Sequence, residues 1–120
     1  RQHGSGTRVW LDEQLNIAAI KPDEILGFES VKSTHLEVAR EIAEGRADAG
    51  LGLESAAAVF GLNFQLLTLE RYDLVVDGAQ AERESIRRFI AWLQSDAARE
   101  YIGGFQGYET GETGSITEIP

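Results

Sequence analysis

Apolar positions along the chain switch repeatedly between a helical and an alternating period. Leu11, Leu15, Ala18 and Ala19 recur at helical spacing after a glycine-rich opening, and Pro22 stops that run. Lys21-Pro22-Asp23-Glu24 reads as a turn or a short second helical start, and residues 25–31 read as a short strand. Thr34-His35-Leu36-Glu37 fits a capping box, in which the threonine hydroxyl and the glutamate carboxylate each bond the other's backbone N–H. Leu36, Ala39, Ile42 and Ala43 give the next helix its buried stripe, and Gly45 is a natural stop. Residues 47–53 are small and apolar, as in a tightly covered strand, and residues 54–60 form a short helix closed by Gly61. Residues 63–69 alternate like a half-buried strand, and 74–76 resume that character before Asp77-Gly78. A last helix starts near residue 82 and carries Ile86, Phe89, Ile90, Leu93, Ala97 and Tyr101 on one face. Ser95-Asp96 breaks or recaps it, Gly103-Gly104 ends it, and a tail rich in Gly, Thr and Glu runs from residue 106 to 120.

Strands alternating with helices predict an α/β class with a largely parallel sheet. Ligands of such sheets sit beyond the carboxyl ends of strands, near helix N-termini. The two best helix starts, residues 4–8 and 33–35, are expected to lie there together.

Composition narrows the function. At 120 residues the chain predicts a single domain over 1–120, with 42% hydrophobic and 26% charged residues, as in an ordinary globular domain. No apolar run reaches the length of a membrane span, and no leader peptide is visible. The sequence lacks an initiator Met, and its glycine-rich loop has no strand before it, so it reads as a piece of a longer, cytoplasmic protein with fused domains. The absence of Cys excludes disulfides, a thiol nucleophile and Cys-based metal sites, and two His residues are too few for a His-rich one. A net charge of −9 disfavours direct nucleic-acid binding and anionic membranes.

The chemistry concentrates at the opening. Gly4-Ser5-Gly6-Thr7-Arg8 precedes a helix whose first N–H groups have no partner in their own helix. Those donors, the helix dipole and the hydroxyls of Ser5 and Thr7 suit an oxyanion or a carboxylate. The competing reading is an ordinary N-cap with glycine for the turn; two glycines, two hydroxyls and the flanking arginine favour binding. Arg8 either faces the anion or pairs with Asp12 one turn on. Thr34 alone is best read as a cap, while His35 at a helix start suits a neutral donor. The Tyr72 hydroxyl either reaches a ligand or makes a single packing hydrogen bond. A P-loop is absent, and no carboxylate pair or Ser-His-Asp set can be placed. Neither catalytic residues nor a metal or cofactor is assigned.

Five segments in order carry a resemblance: Gly4-Ser5-Gly6-Thr7-Arg8, Thr34-His35-Leu36-Glu37-Val38-Ala39, Gly45-Arg46-Ala47-Asp48-Ala49-Gly50-Leu51-Gly52, Glu70-Arg71-Tyr72-Asp73-Leu74 and Gly107-Tyr108-Glu109-Thr110-Gly111-Glu112-Thr113-Gly114. The chain resembles the periplasmic-binding-protein-like domain fused to molybdopterin-biosynthesis-type proteins or to DNA-binding regulatory domains. It is similar to the type II solute-binding fold of molybdate and tungstate binders and to LysR-type effector domains. The resemblance implies a three-layer α/β sandwich lobe plus the return segment of a two-lobed clamp, crossing over near residues 69–76. It implies a small anionic ligand, molybdate, tungstate or a small carboxylate, held by Ser5, Gly6, Thr7 and Arg8 and completed by Thr34, His35 and Tyr72. An exposed return helix would favour a homodimer. Two alternatives stand beside this reading: an enzyme domain acting on a phosphorylated or molybdopterin-related substrate, and an interaction module without a ligand.

Overall fold

Helix is the only regular secondary structure among residues 1–117, the residues that the computed structural model describes. The order is α1 (Gly6–Ile17), a 3-10 turn (Pro22–Glu24), α2 (His35–Ala43), α3 (Glu54–Val59), α4 (Gly78–Ala81), α5 (Glu84–Leu93) and α6 (Asp96–Gly103). The chain divides into two compact units, Arg1–Gln65 and the residues from Leu66 onward. The last three residues of the predicted tail, 118–120, lie outside the described residues.

The predicted α/β sandwich with a parallel sheet is therefore corrected: the chain is 44% helical, with no strand or sheet among the described residues. A strand exists only where a neighbour completes its hydrogen-bond ladder, and none of these segments has one among the described residues. Residues 25–31 fold into turns, with Gly27 at φ +80° and Leu26 fully exposed. Residues 47–53 lie against α2 instead of a sheet neighbour. A Cβ added to Gly50 would come within 2.6 Å of the Val38 side chain, and one on Gly52 within 3.7 Å of His35 Nδ1. Residues 62–77 run without helix, turn or bend.

In the first unit, local signals set the helix ends. Ser5 caps α1 in an extended conformation, φ −72° and ψ 145°. Its C-terminal closure precedes Pro22: Ala19 N–H bonds to Asn16 O and Ile20 N–H to Leu15 O, with Ala19 left-handed at φ 54°. This paired closure normally uses glycine at that position. Thr34 and Glu37 form the expected capping box on α2. α2 packs on α3, with Ala39 and Ala56 as the buried contacts of this unit.

In the second unit, Asp77 caps the short α4, a helix the strand reading of 74–76 did not foresee. Ser95 ends α5 and starts α6. Its hydroxyl donates to Trp92 O at 2.6 Å and accepts from Ala98 N at 3.2 Å. Ala98 is fully buried, and Ile86, Ile90 and Leu93 are half-buried along α5. Phe89, Trp92, Tyr101, Phe105 and Tyr108 form a row of rings with centroids 5.5–6.3 Å apart. The tail returns across the end of α5: Gln94 donates to Gly114 O at 3.2 Å, and Arg99 to Thr113 O at 3.3 Å. Gly114 has φ +83°, and a Cβ there would lie 2.7 Å from both Gln94 Cα and Leu93 O.

Two left-handed positions give opposite predictions. Ala19→Gly removes a steric cost of about 1–2 kcal/mol and raises the urea midpoint. Gly114→Ala introduces the same cost plus a backbone clash, so the midpoint falls. Urea unfolding followed by circular dichroism checks both signs.

Candidate functional site

The start of α1 is a capped turn whose first two amides stay open. Arg8 N–H bonds to Ser5 O at 3.0 Å and lies 3.4 Å from Ser5 Oγ; Val9 N–H bonds to Ser5 O at 2.9 Å. The Ser5 hydroxyl donates to Gln2 O at 2.9 Å. The backbone N–H groups of Gly6 and Thr7 have no hydrogen-bond partner among the described residues. Nor does the first turn of α1 carry an acidic residue, since Asp12 and Glu13 begin later in the helix. Glu37, Glu54, Glu84 and Asp96 occupy the first turns of α2, α3, α5 and α6. Dipole and amides at the start of α1 thus face no carboxylate of their own helix.

Arg8 completes this turn from the inside. It is 5% exposed, the buried charged residue of the described chain. Its Nε donates to Asp12 Oδ1 at 2.8 Å, as one of the two sequence readings expected, but the pair is half-buried instead of lying on the surface. Its guanidinium carbon sits 4.0 Å above the centre of the Phe28 ring. A planar guanidinium stacks well on an aromatic face, and burial strengthens that attraction. Gly27, in the left-handed turn just before Phe28, brings the ring to Arg8. Sequence reasoning missed Phe28 because it placed the residue in a strand. The Leu26-Gly27-Phe28 turn was the available signal.

A second tie joins this turn to the start of α2. The Arg1 guanidinium donates to Ser33 O, one residue before the Thr34 cap. The α-amino group of Arg1 titrates below its ordinary value, first because of burial and then by repulsion from the guanidinium groups of Arg1 and Arg8. Cations therefore gather here in a chain of net charge −9.

The start of α2 already holds a carboxylate. Glu37 Oε2 accepts from Ser33 N at 2.8 Å and Thr34 N at 2.9 Å, while Thr34 Oγ1 accepts from Glu37 N at 3.1 Å. The two backbone bonds hold the Glu37 carboxyl below its ordinary range. The Thr34 hydroxyl is thus committed to its cap. His35 opens α2, half-buried beside the backbone of Gly52. Tyr72 belongs to the second unit and is 70% exposed. Of the predicted set, Ser5, Gly6, Thr7 and Arg8 form one turn, and Arg1 links that turn to the cap before Thr34 and His35.

Beyond the cap, Glu41 clamps α2 from both sides. It pairs with Arg46 at 2.8 Å and with Lys32 at 3.3 Å. The Arg46 hydrogen bond is the main cause that pushes the Glu41 carboxyl down to about 2. No group of three or more His, Cys, Asp or Glu side chains among the described residues could hold a metal ion.

A turn of open amides thus stands beside a buried arginine at the start of α1. The PBP superfamily domain matches residues 1–94, and the chain belongs to that family of periplasmic-binding-protein-like domains. It is 33% identical over 116 residues to the uncharacterized protein YvgK of Bacillus subtilis (strain 168), covering 97% of this chain and 37% of that one. It is 31% identical over 113 residues to an uncharacterized protein in the ferredoxin 2Fe-2S gene 5′ region of Clostridium pasteurianum, covering 92% of this chain and all of that one. The chain thus spans little more than a third of the Bacillus relative. No solved structure matches it. No described helix is long and apolar enough to cross a membrane.

The charges on α2 predict a pH dependence. Glu37 and Glu41 both have folded values below the unfolded value of 4.5, so their stabilisation is present above that pH and is lost as pH falls toward about 2. The urea midpoint is expected to drop across this window. Glu41→Gln should flatten the drop, and an unchanged slope would remove Glu41 from this role.

Proposed function

We propose that the chain is a non-catalytic, small-ligand-binding domain that takes a small oxyanion or carboxylate at the start of α1. The observation that carries this reading is the pair of open amides on Gly6 and Thr7, in a first turn without an acid and beside the buried Arg8. In this reading the two N–H groups and the Thr7 hydroxyl bond the anion. Arg8, fixed by Asp12 and Phe28, supplies positive potential from beneath the turn. Ser5 sets the turn, since its hydroxyl already bonds Gln2 O. Arg1 ties this turn to the start of α2, where His35 opens the helix and Glu37 deters a second anion. Molybdate or tungstate is the specific ligand that the family resemblance favours, and a small carboxylate fits the same donors.

The test is thermal unfolding of the chain with molybdate, tungstate, sulfate, phosphate and small carboxylates. A ligand at 100 times its dissociation constant stabilises by about 2.7 kcal/mol. Gly6→Pro removes one donor at the first helical position, where proline is well tolerated. Extended Ser5 also accommodates a following proline. The expected result is a selective shift in wild type that Gly6→Pro loses while its own unliganded melting stays intact. No shift with any anion would end this reading.

A further inference from the structure

The chain enters the second unit through a link, residues 66–77, that contains no helix, turn or bend. Residues 66–76 make no backbone-to-backbone hydrogen bond with any described residue. The position of the link therefore depends on side-chain contacts, and Arg71 makes two of them. Its Nε donates to Asp73 Oδ1 at 2.8 Å, a contact inside the link. Its Nη1 lies 3.5 Å from Glu112 Oε2, in the tail beyond α6.

Glu112 stands on a loop with a firm seat. Two successive turns shape the loop: Thr113 N–H bonds to Thr110 O at 3.1 Å, and Ser115 N–H to Glu112 O at 3.0 Å. The loop rests in the elbow between α5 and α6. Gln94 Nε2 donates to Gly114 O at 3.2 Å. Arg99 spans the elbow, donating through Nη1 to Gln94 O at 3.2 Å and through Nη2 to Thr113 O at 3.3 Å. Gly114 comes so close that a Cβ would stand 2.7 Å from Gln94 Cα and Leu93 O.

The two attachments differ in kind. The seat combines backbone contact with hydrogen bonds to backbone carbonyls, and Thr110, Thr113 and Gly114 are half-buried in it. The catch is an ion pair between side chains 67% and 81% exposed, and such pairs are weak and screened by salt. When the catch opens, Arg71 keeps Asp73 and Glu112 returns to water, so no buried charge is left without a partner.

We propose that the loop of residues 110–115 is a releasable clasp. It stays with α5 and α6, and Glu112 catches Arg71 to hold the link at residues 71–73. The firm seat and the weak catch let the link open and close without disturbing the helices. Raised salt, or loss of the charge at Glu112, shifts the balance toward the open state.

The experiment is limited digestion of the full chain with chymotrypsin, with mass spectrometry following the cut after Tyr72, beside the catch. A protease cuts a transiently opened segment, so the rate follows the open population. Glu112→Gln should speed this cut about two- to fivefold, the range expected of an exposed pair. Glu112→Arg, which places like charges together, should speed it at least as much. Gln94→Ala alters neither charge but loosens the seat, and it should speed the cut as well. Raised salt should speed the cut in wild type more than in Glu112→Gln, which corrects for any effect of salt on the protease. Circular dichroism confirms that each variant retains its helices. An unchanged rate in Glu112→Gln, or the same salt response in wild type and Glu112→Gln, would overturn the catch. A wild-type rate in Gln94→Ala would overturn the seat.

Discussion

Burial of the Arg8 guanidinium is the constraint on which the first unit turns. A charge taken from water is costly unless it is paired and hydrogen-bonded. Asp12 supplies the pair at 2.8 Å, and Phe28 covers the remaining face at 4.0 Å. This single side chain therefore fixes the first turns of α1 against the 25–31 turn. It also explains why the loop after the 3-10 turn returns toward α1 instead of extending as a strand. An apolar residue at position 8 could fill the space, but it would leave Asp12 without its partner and the start of α1 without a nearby cation.

That cation matters because the rest of the chain is acidic, with 20 Asp and Glu against 11 Lys and Arg. Helix starts elsewhere satisfy their dipoles internally, most completely at α2, where Glu37 bonds two backbone amides. The start of α1 has no such internal anion. In the proposed function an external one takes its place, held by short-range, pre-aimed donors, and the distant acids are screened over about 8 Å at physiological ionic strength. A net-negative protein can thus present one local anion site.

What the sequence disclosed follows the range of the interactions involved. The capping box of Thr34 and Glu37, the recapping at Ser95 and the Gly61 stop are signals confined to a few residues, and the helices they bound were legible. Strands were misread because their existence depends on partners far along the chain. Residues 47–53 and 63–69 carry strand-like patterns without a ladder to join. The 25–31 segment failed locally, since Gly27 at φ +80° makes a turn that an apolar run conceals. Of the candidate site, the Ser5–Arg8 turn and the Asp12 partner were legible. The burial of Arg8 under Phe28 was not, because a ring 20 residues away leaves no mark on the helical period.

The claim that the start of α1 is the anion site is tested most directly by amide NMR during titration with molybdate, sulfate and a small carboxylate. The expected result is saturable movement of the Gly6 and Thr7 amide signals with one of these ligands, while the Ser33 and Thr34 amides, already bonded to Glu37, stay in place. Saturable movement at Ser33 and Thr34 with Gly6 and Thr7 unmoved would contradict it.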